Sequence, residues 1–224
     1  MFSKRLSVIA FLSFNLIGSM QAWAVPTCGE VQNYWYGKYL KDFSVTWDTT
    51  TFVCPGNEAR FALALYDIEM TTFRPNSSGY SPDFYRLVFD NVVHFNGGAN
   101  CTSGILAYTH GSDINLCAAF FADSREDRAS TIIHETRHTQ ADDPRHVMCV
   151  GGPYNGAAGA CDNTFEHGTW GDSGYNADIF FLSWVVRSGQ GNELSKSVAQ
   201  SVINSMIPDR FNNITDEEIS AWRD

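Results

Sequence analysis

Ala129-Ser130-Thr131-Ile132-Ile133-His134-Glu135-Thr136-Arg137-His138 is the stretch on which the reading of this chain turns. Its last five residues spell His-Glu-x-x-His. On a helix, residues four apart lie one above the other, so both imidazoles face a single metal ion. Glu135 then sits where its carboxylate takes a proton from a water beside that ion. Imidazole ligands around a water-activating ion suit zinc, and one Zn2+ per chain is expected. Ala129 to Ile133 supply an apolar side to bury, and Ser124 with Asp127 makes a Ser-x-x-Asp helix start. A surface helix carrying two histidines by chance is the bland alternative. Glu135 argues against a purely structural site, which has no use for it.

Working outward, the motif helix is predicted over 125–140 and ends at Asp142-Asp143-Pro144. From there to Gly174 the chain is rich in Gly, Asn and Asp and has little periodicity. A loop that long is expected to be functional or stapled. Helices are predicted over 175–187 and 193–206, with a short last one starting at Thr215. Upstream, apolar spacing predicts helices over 57–71 and 82–94, the second capped by Ser81 with Pro82 in its first turn. Ile105-Leu106-Ala107-Tyr108 and Ile114-Asn115-Leu116-Cys117 read as short strands around a His110-Gly111-Ser112-Asp113 turn. The expected class is α+β: one helix-rich domain with a small sheet beside the metal-binding helix.

Lys4 and Arg5, an apolar run from Leu6 to Ile17, and Ala22-Trp23-Ala24 form the pattern of a secretory signal peptide over residues 1–24. Residues 25–224 are then the working domain, large enough to bury a core of its own. No segment reads as a membrane span. The six cysteines lie in that domain, an even count that favours three disulfides in an exported chain. Fifteen connectivities exist for six cysteines. Sequential pairing (28–54, 101–117, 149–161) is expected because each pair closes a short loop. Removing the two leader cations from the 15 basic residues takes the formal charge from −10 to −12. So acidic a chain is repelled by nucleic acid and anionic membranes, and a nucleic-acid partner is excluded. The aromatic residues, 14% of the chain, are spread throughout, which reads as core rather than as a binding platform.

The order Ile114-Asn115-Leu116-Cys117, Phe120-Phe121, then His134 to His138 resembles the core of deuterolysin-like aspzincins, a zincin peptidase family. Gly168-Thr169-Trp170-Gly171-Asp172-Ser173-Gly174-Tyr175 is similar to that family's Gly-Thr-x-Asp-x-x-Tyr segment, with one extra residue before the Asp and a later position. His146-Val147-Met148-Cys149, Cys161-Asp162 and Gly174-Tyr175 also resemble a group of bacterial exported HExxH proteins. The likeness covers roughly 114–182, and only the HExxH part is specific.

It implies a zincin-like fold and a third protein ligand, which a catalytic zinc needs beside one open position. His146, 12 residues beyond His134, is the favoured candidate because other zincins place a third His at a similar distance. Asp162, Asp172 and Asp178 remain open. Asp162 would share a neighbourhood with His146 through a 149–161 disulfide, Asp172 is the carry-over from the aspzincin-like segment, and Asp178 would be a helix-borne carboxylate. Asp162 would otherwise orient a ligand histidine, and Asp172 would otherwise cap the next helix. Tyr175 is the first candidate to donate to an oxyanion, with His167 and Tyr154 as alternatives.

The function expected is that of a secreted or periplasmic zinc metallopeptidase, with Glu135 as general base. It would act as a monomer on a peptide or protein substrate, with peptidoglycan peptides as one class. The alternatives are a non-catalytic exported metal-binding protein and an adhesion or binding module.

Overall fold

The computed structural model describes residues 26–47, 54–72, 82–102, 104–140, 145–165, 173–187 and 193–215. The signal-peptide assignment, Asp172, His167 and most of the last short helix lie outside these residues. Thr27 opens the first helical stretch with a capping box: it accepts from the Glu30 amide, and the Glu30 carboxylate accepts from the Thr27 amide. The stretch runs as α1 (Cys28–Glu30), one π-helical turn (Val31–Trp35) and α2 (Tyr36–Asp42). β1 (Ser44–Thr46) follows, then α3 (Asn57–Thr72) and α4 (Phe84–Asn91).

Helix α4 is shorter than the periodicity predicts, and Asp83 caps it, accepting from the Arg86 amide at 2.7 Å; Ser81, the expected cap, lies outside the described residues. His94, expected in that helix, lies in β2 (His94–Asn96). The β-branched pair Val92-Val93 favours extended backbone, and β1 lies alongside to receive the strand. β3 (Ala107–His110) and β4 (Asp113–Leu116) form a hairpin two residues later than the first predicted strand and one earlier than the second. Gly111, at φ +64, supplies the left-handed residue of its two-residue Gly111-Ser112 loop. Cys117 begins the next helix, α5 (Ala118–Ala122), instead of ending a strand. The sheet order is β1-β2-β4-β3, parallel except for β3, which is an edge strand antiparallel to β4.

The motif helix α6 (Arg125–His138) is buried from Arg128 through Arg137. It packs against α3, α4 and α5, against β3 and β4, and against α7 (Gly174–Arg187) and α8 (Glu193–Arg210). α8 buries Ala199, Ile203 and Ile207, spaced four apart on one side. It continues through Pro208, past the predicted stop at Met206. Between α6 and α7, β5 (Asp162–Thr164) pairs in parallel with β6 (Phe211–Asn213), which follows α8.

Phe61, Phe84, Phe95, Phe120 and Phe181 are fully buried, so much of the aromatic content is core. The cysteines pair 28–54, 101–117 and 149–161, with Cα separations of 6.0, 5.7 and 5.0 Å, all inside the range a disulfide spans. Among the described residues, no helix is long and apolar enough to cross a membrane. The molecule is a mixed α/β chain with small sheets and three such cysteine pairs.

Candidate metal centre

Ser124 starts α6 by accepting from the Asp127 amide at 3.0 Å, while its hydroxyl donates to the Asp127 carboxylate at 2.6 Å. Within the helix so started, the i, i+4 spacing puts His134 and His138 on one face. After α6 the chain returns, and His146 meets them. The three Nε2 atoms lie 2.9 Å (134–146), 3.0 Å (138–146) and 3.3 Å (134–138) apart. Among the described residues, these three histidines form a group that could hold a metal ion.

The outer nitrogens are engaged as well. His134 Nδ1 lies 2.8 Å from Asp178 Oδ2 on α7, and His146 Nδ1 lies 2.7 Å from Asp162 Oδ1 on β5. With both carboxylates ionised, each Nδ1 carries the proton, and the Nε2 lone pairs of His134 and His146 point at each other. Two lone pairs 2.9 Å apart repel unless a cation lies between them. Without a metal, a proton kept on Asp178 relieves the conflict by reversing the His134 tautomer. A dication held by the three histidines would drive that proton off. Ligands about 2.0 Å from a tetrahedral zinc are about 3.3 Å apart; the 134–138 separation matches, and the two to His146, at 2.9 and 3.0 Å, are somewhat shorter.

The electrostatics follow from burial. Burial, reinforced by His146, pulls His134 down to about 4, which keeps its ring neutral. Burial pushes Asp178 well above the usual carboxylate range, although a hydrogen bond from Ser130 opposes it. Its Oδ1 is buried without a hydrogen-bond partner among the described residues. Burial also pushes on Asp162, but hydrogen bonds from His146 and Ser173 hold it below its ordinary value. The Tyr175 amide donates to its second oxygen at 3.0 Å.

Glu135 turns toward β3, where Thr109 Oγ1 lies 2.7 Å from its Oε2 and 3.0 Å from its carbonyl oxygen. Burial raises Glu135 above the usual range, opposed by His134 and by the Thr109 hydroxyl. The Tyr175 ring flanks His134 and His146, with centroids 4.7 Å from each. Burial keeps its phenol protonated although Arg210 opposes that shift. Tyr154, the other described candidate for oxyanion donor, lies beneath Arg210 instead.

The structure therefore brings together His134, Glu135, His138, His146 and Tyr175. Asp162 and Asp178 meet the outer nitrogens of histidines and stand outside the Nε2 cluster. Sequence reading missed Thr109, Gly174 and Arg210. A Cβ on Gly174 would lie 2.6 Å from His134 Nε2, so only glycine lets α7 begin against that ring. A Gly-Tyr pair at the start of the helix after the loop was the signal available for Gly174. Nothing local marks the other two. No protein-family model, curated protein or solved structure matches the chain.

Proposed function

We propose that this chain is a secreted zinc metallopeptidase of zincin-like architecture. The observation that carries the reading is the convergence of three histidine Nε2 atoms beside a buried glutamate. His134, His138 and His146 hold the ion, and Asp178 and Asp162 orient two of those rings from behind. Zinc, when bound, lowers the pKa of a water and polarises a carbonyl. Thr109 engages Glu135 Oε2, so Oε1 is the oxygen that takes the proton from the attacking water and passes it to the leaving amine. The raised basicity of Glu135 suits that task. The Tyr175 phenol donates to the developing oxyanion. Among the described residues β3 is an edge strand, and an extended peptide laid along it beside Thr109 would gain backbone hydrogen bonds. The paired cysteines support an oxidising compartment outside the cytosol.

The test measures bound metal and peptide cleavage together. The oxidised wild type is expected to hold one zinc and to cleave a peptide library. His138→Ala and His146→Ala should lose the metal. Glu135→Gln should keep it and lose activity by about 100- to 10,000-fold. A folded wild type that takes up no zinc refutes the reading. A zinc-loaded wild type that cleaves nothing leaves a metal-binding protein without peptidase activity.

A further inference from the structure

Arg210 closes α8 one side chain away from the histidine cluster. Its Cζ lies 3.7 Å from the centroid of the Tyr154 ring and 5.0 Å from that of Tyr175. The stack holds the guanidinium flat and leaves its edge to make hydrogen bonds. Nη1 donates to the Ala160 carbonyl at 3.1 Å. The other N–H groups meet no acceptor among the described residues, and they are not sealed from solvent.

Three other cations of this acidic chain are paired with carboxylates: Arg125 with Asp67, Arg86 with Asp90 and Lys38 with Glu69. Arg60 and Arg128, like Arg210, bond a backbone carbonyl but lie away from the histidine cluster. Arg210 has no carboxylate within ion-pair distance among the described residues. The carboxylates of the site are already engaged, Asp162 and Asp178 by histidines and Glu135 by Thr109. A half-buried guanidinium with an open fork beside a water-activating centre lacks one thing, a carboxylate supplied from outside.

We propose that Arg210 receives a carboxylate of the substrate, making it the residue that sets specificity. This deepens the peptidase reading and rests on it. The substrate class is then peptides with a carboxylate close to the bond cut, on a free C-terminus or on an acidic side chain. The steps from the histidine rings to Tyr175 (4.7 Å) and on to Arg210 (5.0 Å) total under 10 Å. An extended chain advances about 3.4 Å per residue, so the carboxylate lies within about three residues of that bond.

The test uses blocked hexapeptides made as free acids and as C-terminal amides, and a second set with Glu or Gln in the interior. Zinc-loaded wild type is expected to show kcat/KM at least tenfold higher for one carboxylate form over its neutral partner. The set that shows it tells a terminal carboxylate from a side-chain one. In Arg210→Gln the ratio falls to about one, and Arg210→Lys, which keeps the charge but not the fork, lies between. Binding is measured in parallel by calorimetry on zinc-loaded Glu135→Gln, with and without Arg210→Gln, using the same peptides.

A carboxylate preference in binding that Arg210→Gln removes, with no cleavage of any peptide, would keep the carboxylate receptor and discard peptidase activity. Cleavage with no carboxylate preference would do the reverse. A preference that survives Arg210→Gln, or no binding of either form, overturns the proposal. Loss of zinc from both Arg210 variants overturns it too, because Arg210 would then be a support of the metal loop.

Discussion

Gly174 lies against the His134 ring so closely that a methyl group there collides with Nε2, Cε1 and Cδ2 at 2.6, 2.7 and 2.9 Å. The ring cannot retreat, because Asp178 holds its other nitrogen and the helix around it is buried. Gly174→Ala is therefore expected to weaken zinc binding at least tenfold while leaving helix content unchanged, as read by metal competition and circular dichroism. Wild-type affinity in that variant would mean α7 shifts to make room.

His134 also sets a pH dependence in the metal-free protein. Its folded value of about 4 lies below the ordinary histidine value near 6.5, so the unfolded chain binds the extra proton between those pH values. The stability is fully present above about pH 6.5 and falls as pH drops toward 4, by about 3 kcal/mol if His134 acts alone. Urea titrations of apo protein at pH 7 and pH 4.5 read this, and His134→Gln should flatten the difference. At this scale the HExxH residues were legible because their spacing alone defines the face. Thr109, Gly174 and Arg210 were not. Each reaches the site from another element through tertiary packing, which leaves no periodic mark.

Helix α6 shows why elements differ in legibility. Its start was readable from Ser124 and Asp127, because a cap is a local chemical device. Its surroundings were not. Neighbours on several sides bury Arg128 to Arg137, so the apolar stripe of a surface helix is missing. The strands suffered from shortness: β1, β2, β5 and β6 are three residues each, too brief for an alternation to declare itself. The cap carries the next prediction. Ser124→Ala removes the acceptor for the Asp127 amide and is expected to cost about 1 kcal/mol. In a chain of this size that lowers Tm by about 2–4 °C. Because the histidines lie three turns away, zinc stoichiometry should not change. If thermal melts show no drop, the Asp127 carboxylate or water replaces the cap.

At the scale of the whole molecule, the metal cluster joins two helices to a stapled loop. α6 and α7 supply His134, His138 and Asp178 from packed elements, whereas His146 and Asp162 belong to residues 145–165, which have little regular structure. That segment is fixed from three directions. Cys149 pairs with Cys161, and Val147 bridges to Cys161 through their backbones. Strand β6, which follows α8, holds the other side: Asn212 accepts from the Val150 amide at 2.7 Å and donates to the Met148 carbonyl at 2.8 Å. β5 lies along β6, and Phe165 packs on Phe211.

The disulfide could be named from sequence, since the two cysteines bracket the loop. The clasp could not, since Asn212 lies more than 60 residues from its partners. The two supports make separable predictions. A short-loop disulfide contributes up to about 3 kcal/mol of ordering, which here falls on His146 and Asp162 rather than on the core. Cys149→Ser/Cys161→Ser is expected to bind zinc about 10- to 100-fold more weakly, with a far smaller change in core stability measured with chelator present. If instead zinc affinity holds, the clasp of Asn212 and β6 positions His146 unaided, and Asn212→Ala in the same background should then release the metal.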